Sequence, residues 1–221
     1  MKIEIEITKD GSHTFFVPEL EEHYHSTNGA IQEAEHIFMD AGLRQCNKRP
    51  VRIFEVGFGT GLNALLTLQE AEKNKIHMDY TTTERYPVQE EWIGKLNFPQ
   101  LTGLHNREFF HELHDADWES RQQLTPHFSL LKIKTDITLL QFPPENETYD
   151  LIYFDAFAPE KQPEMWSEPI FRKLYDSCEK DAILVTYCAK GSIRRLLQSI
   201  GFKVERIPGP PGKREMIRAR K

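Results

Sequence analysis

The chain has 221 residues, 39% hydrophobic and 28% charged, enough for one α/β domain with a full core and too few for two large ones. It has no 18-residue apolar run, and its start, MKIEIEITKDG, alternates charge with isoleucine unlike a secretory signal, so a cytoplasmic protein without a membrane span is expected. The net charge of −6 argues against a polyanionic partner, and Cys46, Cys178 and Cys188 lack the number and spacing of a disulfide framework or a zinc site.

In chain order, residues 2–7 and 13–17 alternate around Asp10-Gly11 as a hairpin would, and 29–41 read as a helix with Ile31, Ala34, Ile37 and Phe38 on one face. Residues 1–48 are thus expected as a hairpin and helix packing on a domain over 49–221. In that domain seven strands are expected, at 51–56, 78–83, 127–133, 149–154, 182–188, 202–207 and 214–219. Helical stretches at 61–73, 164–177 and 191–199 separate strands in the βαβ pattern of a parallel sheet. The polar, aromatic stretch 98–126 is expected to form helices over one face. Only PGPPGK separates the last two strands, too little for a crossover, so the seventh runs antiparallel to the sixth. A seven-stranded, mostly parallel sheet with a reversed last strand resembles the Rossmann-like class I S-adenosylmethionine-dependent methyltransferase fold.

The segment VRIFEVGFGTGLN (51–63) delivers a strand end and three glycines to the start of a helix. Gly57, Gly59 and Gly61 lack side chains, so backbone N–H groups there can approach a ligand. The spacing is GxGxG, with Leu62 where a dinucleotide fingerprint wants glycine, which favours a smaller adenosyl cofactor. Ligands of open parallel sheets bind beyond the carboxyl ends of the strands, where Glu55, Glu84, Asp136 and Asp155 stand. Glu84 suits a ribose diol, Asp136 an adenine amino group and Glu55 a methionyl amine. The expected cofactor set is Glu55, Gly57, Phe58, Gly59, Gly61, Asn63, Glu84, Asp136 and Ile137. Asp155 lies in DAFAPEKQPEMW, where Phe157 and Trp166 offer aromatic walls for a planar base. A carboxylate there can hold an ammonium and take its proton, leaving a lone pair for an in-line methyl transfer. His23/His25 and His111/His114 lack a completing ligand set, so no metal is expected.

Charge is unevenly spread. From residue 190 onward ten basic residues face only Glu205 and Glu215, a net +8 that leaves −14 on the rest. Such asymmetry points a polyanion at one face.

The motifs EVGFGTGLN, TTTERYP, DAFAPEKQPEMW, TYCAKGSIRRLLQSIGFKVER and PGKREM, in this order, resemble the methyltransferase part of the MnmC family of bifunctional tRNA wobble-uridine enzymes, in a stand-alone, MnmD-like form. YHSTNGAIQEAEHIF resembles the segment that precedes the fold in that family. The resemblance implies S-adenosyl-L-methionine as cofactor and the 5-aminomethyl group of the tRNA wobble uridine as methyl acceptor. It implies Asp155 beside the transferred methyl, and Lys213, Arg214 and Glu215 at the uridine entrance. Arg194 and Arg195 complete the expected substrate set with Phe157 and Trp166. The family's flavin-dependent oxidase domain has no room in this length, so a separate oxidase protein is an expected partner, and the loop PGPPGKREM is richer in proline than usual for the family. The alternatives are an adenosyl-cofactor transferase acting on a free small amine, of the polyamine aminopropyltransferase kind, and a non-catalytic tRNA-binding protein. The basic tail argues against the first and the full set of strand-end acids against the second.

Overall fold

Continuous apolar runs make the buried centre of a sheet, and turn chemistry places what precedes it. In this computed structural model, residues 2–103, 106–142 and 148–221 are described. Met1 and positions 104–105 of the 98–126 stretch lie outside them. β1 (Glu4–Ile7), β2 (His13–Val17) and β3 (Glu22–His23) form a small antiparallel sheet. Its first turn does two jobs: Asp10 accepts the Ser12 N–H at 3.0 Å and, with its other oxygen, the Gln32 N–H at 3.0 Å in the first turn of α1 (Ala30–Ala34). The helix then widens into a π-helical turn, Glu35–Asp40, burying Ile37, Phe38 and Met39.

The main sheet comprises β4 (Val51–Val56), β5 (Met78–Thr83), β6 (Gln122–Thr125), β7 (Phe128–Ile133), β8 (Tyr149–Phe154), β9 (Cys178–Thr186), β10 (Lys203–Pro208) and β11 (Glu215–Arg220), in the order β10-β11-β9-β8-β4-β5-β7-β6. β11 lies between β9 and β10 and runs antiparallel to both. The sheet has eight strands rather than seven, because polar QQLT pairs antiparallel on β7 as an edge strand where helix was expected. β9 also begins at Cys178, four residues earlier than its apolar run. Around the sheet stand α2 (Leu62–Asn74), α3 (Glu90–Ile93), α4 (Phe98–Thr102), α5 (Asn106–Asp115), α6 (Glu168–Asp176) and α7 (Gly191–Ile200).

Alternation along the central strands feeds two cores. Ile53, Leu151 and Tyr153 pack with Phe38 and Leu65 of the π turn and α2, whereas Phe54, Ile152 and Phe154 pack with Phe171 and Leu197 of α6 and α7. From β4 the chain goes by α2 to β5 on one side, and it comes back to β8 on the other. This switch in direction opens a crevice at the carboxyl ends of β4 and β8. Among the described residues no helix is long and apolar enough to cross a membrane, and no group of three His, Cys, Asp or Glu could hold a metal.

Candidate active site

The glycine loop is shaped by its protein neighbours. Gly57 has φ +92° and a Cβ on it would meet the Asp155 carbonyl oxygen at 2.8 Å, because β8 closes on the end of β4 there. At Gly61 (φ +74°) a Cβ would meet His114 Nε2 at 2.8 Å, so this glycine makes room for α5 and does not line the cavity. Gly59 (φ +51°) points its N–H at Glu84 Oε2, 3.1 Å away.

A cavity of about 580 Å³ lies over this loop. It is bordered by Gly57, Phe58, Gly59, Asn63, Glu84, Asp136, Ile137, Asp155 and Phe157 of the expected residues, with Lys213 at one side. Residues 22–27, Glu33, Met165 and Tyr187 are among the others that line it. The N-terminal segment therefore supplies a whole wall: Tyr24 stands on Gly59 and edge-on to Phe157 at 5.2 Å, and His25 Nε2 lies 2.6 Å from Thr60 Oγ1. Burial lowers the His25 pKa to about 4, so its imidazole is neutral.

Two acids share one amide beneath the cavity. Asn63, 3% exposed, donates through Nδ2 to Glu55 Oε1 at 3.1 Å and to Asp155 Oδ2 at 2.9 Å. Its buried Oδ1 has no partner. Glu55 is fully buried, accepts a second bond from Thr82 Oγ1 at 2.8 Å and does not line the cavity, which corrects its expected direct contact with a methionyl amine. Burial pushes both carboxyls up, Asp155 to about 7 and Glu55 further, with the Asn63 bond opposing the rise at each. Asp155 also feels Glu33, which raises its pKa, and Lys213, which lowers it. An acid titrating near neutrality at a cavity floor is suited to exchanging protons there.

Glu84 accepts the N–H groups of Gly59 and Tyr86 (2.8 Å), one on each oxygen, while lining the cavity. Asp136 is more committed. Its Oδ1 accepts Thr138 N–H (2.9 Å) and Oγ1–H (2.7 Å) and its Oδ2 pairs with Arg85 at 2.8 Å, so turn capping and an ion pair take up the side chain expected for an adenine amino group. Burial pushes its pKa up, but the Thr138 bonds and Arg85 outweigh this and hold it below the usual value.

Five other expected residues lie away from the cavity. Trp166 is buried; its Nε1–H donates to the Phe157 carbonyl at 2.8 Å and its ring packs on Phe154 and Tyr187, so it braces the loop that carries Asp155 and faces no ligand. Glu215 pairs with Arg206 at 3.2 Å on the strand pair. Arg214, exposed beside it, and Arg194 and Arg195 on α7 stand outside the cavity lining. Half of the basic tail is also internally neutralised: Arg206, Arg218, Arg220, Lys190 and Lys213 pair with Glu215, Glu205, Glu160 and Glu33. Arg194, Arg195 and Arg214 have no acidic partner among the described residues, and the topology sets them at the same carboxyl edge of the sheet as the cavity.

Tyr24, His25, Glu33 and Tyr187 were not anticipated. Glu33 sits one residue before the buried Ala34 on a short helix whose polar face reads as solvated, so no spacing marks it.

Over residues 107–221 the sequence matches the model of the S-adenosyl-L-methionine-dependent methyltransferase family. The chain belongs to this family. The methyltransferase is similar to bifunctional proteins of tRNA 5-methylaminomethyl-2-thiouridine biosynthesis, MnmC. That of Cupriavidus necator is 31% identical over 213 residues, covering 91% of this chain and 32% of the relative, and that of Actinobacillus pleuropneumoniae is 28% identical, covering 88% and 31%. This chain spans about a third of the length of these curated relatives. The crystal structure of MNMC2 from Aquifex aeolicus matches the methyltransferase with a TM-score of 0.81 at 27% identity, over 99% of this chain and 69% of that one.

The methyl donor of the methyltransferase is S-adenosyl-L-methionine, and the residues present fit it. The cavity size is that of a cofactor site. Glu84 keeps lone pairs facing inward for a diol, and the orphaned Asn63 Oδ1 is an unused buried acceptor beside the loop. Replacing Glu84 with alanine is expected to weaken cofactor binding by about 1.5–3 kcal/mol, the range for hydrogen bonds to a charged group, with the fold retained. Isothermal titration checks it; unchanged affinity with a collapsed melting temperature would make Glu84 purely structural.

Proposed function

We propose that the chain transfers a methyl group to the amine of 5-aminomethyl-(2-thio)uridine at the tRNA wobble position, forming 5-methylaminomethyl-(2-thio)uridine. The observation that carries this reading is Asp155, a carboxyl with its pKa raised to about 7, held by Asn63 at the floor of a cavity walled by Phe157 and Tyr187. The names of the relatives, which are tRNA 5-methylaminomethyl-2-thiouridine biosynthesis bifunctional proteins, support it.

When bound, S-adenosyl-L-methionine supplies an electrophilic methyl on a sulfonium. The chain does the rest by alignment and proton handling. Glu84 and the loop from Gly57 to Thr60 would hold the cofactor; Asn63 fixes Asp155; Phe157 and Tyr187 bound the space for the uracil ring. Asp155 Oδ1 or Oδ2 accepts the proton of the substrate ammonium, so that the nitrogen presents a lone pair. Neither Trp166 nor Glu55 touches the reacting groups; they brace the Asp155 loop and share its amide.

A free polyamine fits less well. A polycation wants several uncommitted acids, whereas Asp136 is taken up by Arg85 and by both donors of Thr138. In this reading the protein works in the cytoplasm on tRNA, and a separate flavin-dependent oxidase generates the amine. The cations without acidic partners at the carboxyl edge, Arg194, Arg195 and Arg214, take the phosphate backbone. Reversing Arg194 and Arg195 to Glu is then expected to weaken tRNA binding and flatten its salt dependence without changing cofactor affinity, read by fluorescence anisotropy at two salt concentrations. Unaltered tRNA binding would remove α7 from the interface. The function itself is tested by methyl transfer to tRNA carrying the aminomethyl group.

A further inference from the structure

Lys213 reaches into the cavity from the loop between β10 and β11, and what surrounds its ammonium group is specific. Its Nζ donates to Glu33 Oε1 at 2.7 Å and stands 4.1 Å above the centre of the Tyr187 ring. Asp155 lines the same cavity as Glu33, Tyr187 and Lys213. A carboxylate and an aromatic face around one nitrogen make an ammonium cage, with a second acid lining the same cavity.

The cage persists without its occupant. Glu33 is fixed by its other oxygen, which accepts the Ser26 N–H at 2.8 Å, and Tyr187 by its hydroxyl, which donates to the Ala156 carbonyl at 2.9 Å. The Lys213 backbone is fixed as well: its N–H donates to Pro210 O at 2.9 Å, Gly212 at φ +88° packs on the Asn28 side chain, and His36 Nε2 meets Pro208 O at 2.9 Å. Only the lysine side chain, with four rotatable bonds, is free to leave. Swinging out would free Glu33 Oε1 and the Tyr187 face without moving either wall.

We propose that Glu33 and Tyr187 form the subsite for the ammonium group of the substrate, and that Lys213 fills it in the free protein and is displaced when the substrate enters. This rests on the reading that the acceptor is an aminomethyl-uridine. Its amine is a primary ammonium on one carbon, the same group as the end of a lysine side chain. Glu33 would hold the ammonium while Asp155 takes its proton, so the two acids divide orientation from proton transfer. A uridine without the amine has nothing to offer the cage and leaves Lys213 in place. Lys213 thereby sets a threshold that only an amine-bearing base crosses.

The test compares two anticodon stem-loop RNAs, one with 5-aminomethyl-uridine and one with plain uridine, bound to the full chain with S-adenosylhomocysteine present. The ratio of their affinities cancels phosphate contacts. The wild type is expected to prefer the amine-bearing RNA. Lys213→Met, which removes the competing cation, is expected to widen that preference by roughly fivefold, the factor an ion pair of this exposure is worth. Glu33→Gln, which can still accept the Ser26 N–H, is expected to abolish it. Preferences unchanged in both variants, or no preference in a wild type that nevertheless methylates the tRNA, would overturn the proposal. A wild type that methylates no aminomethyl-uridine tRNA would instead overturn the functional reading on which it rests.

Discussion

Asp155→Asn is expected to bind S-adenosyl-L-methionine and fold normally while losing about two to four orders of magnitude in methyl transfer, the usual contribution of a positioned general base. The asparagine carbonyl can still accept the Asn63 Nδ2–H that Asp155 Oδ2 now accepts at 2.9 Å, so the loop keeps its anchor. What is lost is the ability to take a proton. The sign with pH follows from the raised pKa of about 7: ionised Asp155 grows with pH, so wild-type turnover rises through neutrality and levels off above it. The variant should keep rising as the amine loses its proton to solvent, and thus be partly rescued at high pH. Single-turnover rates across pH measure both curves. Near-normal turnover by the variant at neutral pH would leave alignment as the whole of catalysis.

Asn63→Leu is expected to reduce both stability and activity. The shape is nearly kept, but Glu55 and Asp155 lose their shared donor while remaining buried, at a cost of about 2–4 kcal/mol for two hydrogen bonds to acidic groups. Because that donor holds both pKa values down, its loss raises them further. Both carboxyls already titrate above their unfolded values of roughly 4, so their protonated forms favour the folded state and stability is lost as pH rises through about 7. The gap between variant and wild type should therefore widen from pH 5 to pH 8, and the pH–rate profile should shift upward. Thermal melts at the two pH values check the first. A gap that does not change with pH would mean that the amide does not control the two acids.

The sequence was most legible where burial is complete on both faces. β4, β5 and β8 begin and end at the expected residues, because a parallel strand buried on both faces is rich in β-branched and aromatic residues along nearly its whole length. β6 escaped because an edge strand paired on one side needs no such run, and QQLT reads as loop or helix. The strand-end acids were visible as a group, but their separate roles were not. Whether a carboxylate faces a ligand or its own turn depends on neighbours such as Thr138 and Arg85 for Asp136, or Thr82 and Asn63 for Glu55, which only the register of adjacent strands brings together. Trp166 shows the same ambiguity for an aromatic in a loop, whose indole N–H found a carbonyl inside the protein. The wall from Tyr24 to Glu33 was out of reach of any local pattern. It meets the glycine loop across more than 30 positions of sequence, through contacts such as His25 with Thr60.

Methyl transfer to tRNA is read most directly by mass spectrometry of tRNA nucleosides after incubation of 5-aminomethyl-uridine tRNA with the wild-type chain and S-adenosyl-L-methionine. One added methyl group is expected, on the aminomethyl nitrogen of the wobble uridine, with little or none from Asp155→Asn. Methylation at any other position, or transfer to a free amine in preference to the tRNA, would contradict it.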